Sequence, residues 1–239
     1  MVKAYGGEFR CLERLLVSRQ GDVGKAAEAF SDTLSFRKEH GLDDGTFVLD
    51  EEMRQRVQRY WPGVYSAETS VSGAPLQLFR PGILDTSALL ANCTEAEIQA
   101  YHIAWLERSL ALQRESNASR GYGKGAAWQG MLEVYDWTGL SPSHLAPTGL
   151  TMLSRVLSIG QRHYPENLQQ LFIINAPMIS TAAWKVISAG LPSSTNAKIR
   201  ILRDGTDELV AALGDAERLA AFMALLPPAQ SWSSWLGMS

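Results

Sequence analysis

Hydrophobic positions change their period part-way along the chain. Through residue 60 they recur at helical spacing, and EFRCLERLLVS (8–18) is expected to set Phe9, Leu12, Leu15 and Leu16 on one buried face. Asp22 is placed to cap a second helix, with Ala26, Ala27, Phe30 and Leu34 as its apolar side and Gly41 as its stop. A third, short helix over residues 50–60 mixes charges in the manner of a solvated face. Beyond Trp61, short apolar runs alternate with helical patterns. Strands are expected at 74–79, 130–140, 171–175 and 199–202, and helices at 94–116, 144–163, 181–190 and from 207 onward. Thr94 and Glu97 form a capping box for the long helix, and Gly190 with Pro192 ends the one before the last strand. Strands separated by helices imply right-handed crossovers. The expected fold is therefore α/β, an N-terminal helical lobe (1–60) followed by a mostly parallel sheet in a second domain (61–239).

One polarity feature does not fit an ordinary surface helix. Between Glu166 and Lys185 the chain carries no charge, and past Lys185 it continues uncharged through VISAGLPSSTNA. A second uncharged stretch follows Leu219. Neither holds about 20 consecutive apolar residues, so neither is read as a membrane span. An amphipathic helix on a protein surface carries more charge than the first of these does.

Composition narrows the class without naming it. Lys and Arg number 22 against 25 Asp and Glu, for a net charge of −3. That balance argues against a duplex nucleic-acid partner, which needs a basic surface to displace counterions. The two cysteines, Cys11 and Cys93, are too few for a disulfide framework, and the first ten residues lack an apolar signal core. A cytoplasmic, monomeric protein is expected, and the N-x-S/T matches at Asn92 and Asn117 are read as chance.

Catalytic motifs are wanting. GYGKGAAW (121–128) has three glycines and a lysine but no Ser or Thr after the lysine, so it matches neither a phosphate loop nor a dinucleotide fingerprint. No G-x-S-x-G elbow supplies a nucleophile. His40, His102, His144 and His163 are scattered, without metal-ligand spacing. No catalytic residue, metal or cofactor is expected, and the chain is not read as an enzyme.

The segment HYPENLQQLFIINAPMISTAAWKVISAGLPSSTNAKIRIL (163–202) is far more specific. It resembles the core of the CRAL-TRIO lipid-binding domains: a YPE opening, a strand ending in INAP, an aromatic-bearing helix, and a T-x-x-K-I close. RLLVSRQGDVGKAAEAFSDTLSFRKEHG (14–41) is similar to that family's helical lobe, and RYWPGVYS (59–66) and EVYDWTGLS (133–141) to its Y-P and D-x-x-G elements.

The resemblance implies a sheet flooring an apolar pocket closed by a movable helix. Met178, Ile179, Ala182, Ala183, Trp184, Val186 and Ile187 would form that gate and lining, which accounts for the uncharged run. It also implies that Arg37, Glu166, Thr195 and Lys198 bind the head group of phosphatidylinositol, as a carrier making transient contact with a membrane surface. The residue chemistry suits this: two cations for a phosphate, a hydroxyl donor, and a carboxylate for inositol hydroxyls.

Departures from the family pattern are also specific. Met131, Leu132 and Glu133 stand where choline-lipid exchangers have small hydroxyl residues, and Glu107 and Gln113 lie near positions where those proteins place tyrosines. The family's usual Gly-Gly pair near the end is missing, and Trp232 and Trp235 stand in an atypical tail. Two rival readings follow: a carrier of a tocopherol, retinoid or sterol-like ligand, or an interaction module without a ligand.

Overall fold

The computed structural model describes residues 1–122, 127–140, 144, 147–176, 184, 188, 191, 193–202 and 206–226. Three helices come first: α1 (Glu8–Ser18), α2 (Val23–Glu39) and α3 (Glu51–Gln58). The strand β1 (Gly63–Thr69) and β2 (Pro75–Phe79) follow, then α4 (Thr86–Asn92) and the 25-residue α5 (Glu95–Ser119). The chain continues through β3 (Met131–Asp136), α6 (Pro147–His163), β4 (Leu168–Ile174), a single turn α7 (Ser193–Asn196) and β5 (Ile199–Leu202). Two helices, α8 (Asp207–Leu213) and α9 (Ala216–Met223), close the described chain.

The expected caps are present. The Asp22 carboxylate accepts from the Lys25 N–H, and the Thr94 hydroxyl and Glu97 carboxylate satisfy each other's backbone N–H groups. The strands lie in the order β1-β2-β3-β4-β5, with β1 antiparallel to β2 and the other neighbours parallel. The sheet is thus mostly parallel, in an α/β fold with helices leading it. β1 and α4 have no counterpart in the sequence reading. GVYSAET lacks both clean alternation and an apolar run, and it is held as an edge strand by pairing with β2.

Two helix faces differ from expectation. α1 buries Cys11, Arg14 and Leu15, while Phe9 is 76% exposed and Leu12 also faces out. α2 buries Ala26, Ala29, Thr33 and Arg37, whereas Ala27 and Leu34 are exposed. Each helix turns on its axis to bring a guanidinium inside. Arg14 and Arg37 lie over the ring of the buried Tyr5, at 4.9 and 5.6 Å, and a hydropathy pattern credits neither arginine as core.

The sheet separates two environments. On one side Leu76, Leu78, Leu132, Val134, Phe172 and Ile174 pack under Leu209, Leu213 and Phe222 of α8 and α9. That face is a conventional close-packed core. The other face looks toward α5 and α6, and packing there is incomplete.

Candidate functional site

A cavity of about 400 Å³ lies between the second face of the sheet and helices α5 and α6. Strand alternation decides what floors it. One row across the sheet, in register, is Tyr65, Gln77, Glu133, Leu171 and Ile199. The next row toward the strands' C-terminal ends is Gly63, Phe79, Tyr135, Ile173 and Ile201. In the first row all five side chains line the cavity; in the second, Phe79, Tyr135 and Ile173 do. Trp105 and His102 of α5 and Met152, Val156 and Tyr164 from α6 onward complete the wall.

The polar mouth lies at the β5 end. Lys198 Nζ donates to a Glu166 carboxylate oxygen at 2.7 Å, and the Lys198 N–H donates to the Thr195 carbonyl at 3.0 Å. Glu166, Thr195 and Lys198 all line the cavity. Glu166 has φ +54°, a left-handed conformation uncommon for a residue with a Cβ. Its turn is held from both sides. Arg14 Nε donates to the Pro165 carbonyl at 2.8 Å, and the Asn167 amide donates to Ser109 Oγ at 3.0 Å while accepting from Gln113. The buried Arg14 is therefore a brace for the loop that presents Glu166, and burial lowers its guanidinium pKa to about 10.

Arg37 stands apart from the other three. It is 1% exposed and does not line the cavity. Its guanidinium donates to both Glu107 oxygens at 2.6 and 3.1 Å, and to Asp43 at 3.0 and 2.9 Å. The N-terminal ammonium also meets Asp43, at 2.6 Å. Among the described residues Arg37 is linked to the cavity wall through Glu107, which accepts from the Tyr164 hydroxyl at 2.7 Å. In this arrangement it fastens the helical lobe to α5. Glu107 supplies the countercharge of that fastening, and Gln113 bridges Asn167 to the Trp128 indole.

Of the expected gate, Met178, Ile179, Ala182, Ala183, Val186 and Ile187 lie outside the described residues, as do Trp232 and Trp235. Trp184 is described. It is half-buried, with its ring 6.5 Å from that of Trp137, and it packs with Leu171 and Ile173 at the cavity floor.

A second polar group went unread at the sequence level. Midway along the floor, Trp105 Nε1 donates to Gln77 Oε1 at 3.1 Å, and the Tyr65 hydroxyl donates to the Trp105 carbonyl at 2.8 Å. Glu133 sits beside Gln77 on the adjacent strand. Burial pushes its carboxyl up to about 7, with hydrogen bonding to the Tyr135 hydroxyl acting in the other direction. Burial pushes the His102 imidazole down to about 4. The available signal was alternation: Gln77 between Leu76 and Leu78, and Glu133 between Leu132 and Val134, mark one face of two central strands as wet.

Among the described residues no set of three His, Cys, Asp or Glu side chains is grouped to hold a metal. No helix there is long and apolar enough to cross a membrane.

Comparison with known proteins gives consistent results. The family model for the CRAL/TRIO domain matches residues 64–223. "Protein real-time" of Aedes aegypti is 31% identical over 192 residues, which are 80% of this chain and 28% of that protein. The phosphatidylinositol/phosphatidylcholine transfer protein SFH9 of Arabidopsis thaliana is 26% identical over 227 residues, 90% of this chain and 37% of the relative. The chain thus spans well under half the length of these two relatives. The crystal structure of Sfh5 superposes with a TM-score of 0.65 at 18% identity, covering 86% of this chain and 70% of that one, a likeness of fold.

Proposed function

The chain belongs to the CRAL/TRIO domain family, and on that basis we propose that it is a lipid carrier that holds one phosphatidylinositol in its cavity and exchanges it at membranes. Family membership and relatives named as phospholipid transfer proteins support lipid binding and transfer as the general activity. The finer assignment, to phosphatidylinositol, rests on the polar mouth formed by Glu166, Thr195 and Lys198 at one end of an otherwise largely apolar cavity.

The energetics suit a carrier. Each buried CH₂ is favoured over water by roughly 0.8 kcal/mol, but a lipid leaving a bilayer exchanges one apolar surrounding for another. The tail contribution largely cancels. Selectivity then falls to the head group, at about 1.5–3 kcal/mol for each hydrogen bond to a charged partner. Lys198 is the cation at hand for a phosphate. When it turns to that phosphate, Glu166 is left to accept from inositol hydroxyls, so the Lys198–Glu166 salt bridge is exchanged for two ligand contacts.

In this reading the carrier works as a cytoplasmic monomer that visits membrane surfaces transiently, and no chemical step takes place in it. Transfer of labelled phosphatidylinositol between vesicles tests it. Lys198→Ala should abolish transfer while leaving the fold intact, and undiminished transfer by that variant would refute the head-group assignment.

A further inference from the structure

We infer that head-group selectivity at the cavity mouth is set from outside the cavity, by a clamp in which Tyr5, Arg10 and Arg14 hold the backbone of the turn that presents Glu166. The inference rests on the carrier reading and adds three positioning residues to it, none of which lines the cavity.

The turn needs holding. Pro165 fixes its first central residue, and the second, Glu166, has φ +54°, at a place usually held by Gly or Asn. A residue with a Cβ stays in that conformation only where its surroundings over-determine it. Here they do so through carbonyl groups. The His163 carbonyl accepts from the Tyr5 hydroxyl, the Pro165 carbonyl from Arg14 Nε at 2.8 Å, and the Glu166 carbonyl from Arg10 Nη2 at 3.5 Å. On the far side of the turn the Asn167 carbonyl accepts from the Met131 N–H at 2.8 Å. Three of these four acceptors are held by α1 and the turn before it, from 151 to 158 residues earlier in the chain.

Arg14 is an expensive way to hold two helices together. It is 0% exposed, and Nη1 and Nη2 have no hydrogen-bond partner, so among the described residues the Pro165 carbonyl is the one acceptor its guanidinium serves. An apolar side chain of similar length would fill the space at less cost. Packing therefore does not account for a guanidinium here, whereas fixing the Pro165 peptide does. Arg10 is itself held in place, by Glu13 at 2.8 Å and by the Trp128 ring, whose centre lies 5.2 Å away. The peptide groups on either side of Glu166 decide where its Cα–Cβ bond points. If the turn relaxed to a negative φ, the side chain would swing away from Lys198, now 2.7 Å from it. Hydrogen bonds to inositol hydroxyls tolerate only a few tenths of an ångström of such drift. Lys198, carried at the start of β5, keeps its phosphate contact, so a loosened clamp costs recognition of the inositol ring more than recognition of the phosphate.

The test follows transfer of labelled phosphatidylinositol and labelled phosphatidylglycerol between vesicles by the full chain. The two lipids carry the same phosphodiester charge, and only the first has an inositol ring, so the ratio of their rates is the readout. Arg14→Met should lower the preference for phosphatidylinositol about 10-fold, and Tyr5→Phe, which removes a single hydroxyl, about 3-fold. Glu166→Gln should lower it at least as far as Arg14→Met does. Adding either clamp substitution to Glu166→Gln should then leave the ratio where Glu166→Gln alone puts it, because the clamp acts through that carboxylate. Should Arg14→Met fail to fold, Tyr5→Phe carries the same comparison. Clamp variants that slow both lipids equally, or that lower the ratio further in the Glu166→Gln background, would overturn the inference. A wild-type preference for phosphatidylinositol beside either of those results leaves the carrier reading standing. Equal transfer of the two lipids by the wild-type protein would overturn both the assignment to phosphatidylinositol and the clamp's role in it.

Discussion

Replacing Glu133 by Gln should change how stability depends on pH more than it changes stability at any single pH. The carboxyl is raised from 4.5 in the unfolded chain to about 7 in the folded one. Between those values the folded state holds a proton that the unfolded state releases, so stability is highest below 4.5 and falls as pH rises through 7. A gap of about 2.5 pH units, at about 1.4 kcal/mol each, limits the total loss to about 3 kcal/mol. Between pH 5 and pH 8 the share is about 2–3 kcal/mol, because part of the loss has already occurred at pH 5. Glutamine has nothing to titrate. Urea unfolding of lipid-free wild type and Glu133→Gln, each at pH 5 and pH 8, yields a double difference from which other titrating groups cancel. The variant should gain about 2–3 kcal/mol on wild type between the two conditions. A difference that stays constant across the range would refute the claim that burial raises the Glu133 carboxyl.

His102→Phe should act at the other end of the scale: the native imidazole is depressed to about 4, so the stability its neutral form requires is present above 6.5 and lost as pH falls toward 4. The variant should lose less stability than wild type between pH 6.5 and pH 4.5, measured by the same unfolding assay. Arg37→Ala leaves Glu107 and Asp43 without their shared cation and should cost about 3 kcal/mol in denaturant unfolding. Lys198→Ala, whose pair lies at the cavity mouth, should cost under about 1 kcal/mol while removing vesicle transfer of phosphatidylinositol. Gly82→Ala would place a Cβ 2.0 Å from the Thr138 carbonyl oxygen, backbone that cannot step aside, and should lower stability by about 1–3 kcal/mol.

The elements with a strong local cause were legible in the sequence. The capping box of α5, the Asp22 cap of α2, and the apolar centre of β4 each follow from residues within one or two turns of one another. β1 was not legible because its pairing, more than its composition, makes it a strand. The faces of α1 and α2 were misjudged for a different reason. Arg14 and Arg37 are buried by partners far away in sequence, Pro165 and Glu107, and a hydropathy pattern treats every arginine as surface. The same long-range pairing separates Arg37 from Glu166, Thr195 and Lys198, four residues that a linear motif presents as equals. Within the cavity, the mouth was named from its motif. Glu133 was noticed only as a departure from that motif, since its significance depends on Gln77, Tyr65 and Trp105 converging from three other elements.

The alternation that exposes Glu133 to the cavity also bears on how the sheet is assembled. A slip of β3 by one residue would turn Glu133 toward Leu209, Leu213 and Phe222, where the described neighbours are apolar, and would turn Leu132 and Val134 toward the cavity. An unpaired carboxylate sealed under α8 and α9 would be far costlier than one facing an open cavity. A residue that weakens the correctly folded sheet at neutral pH therefore weakens the misaligned one more, and it helps to keep the central strand in register.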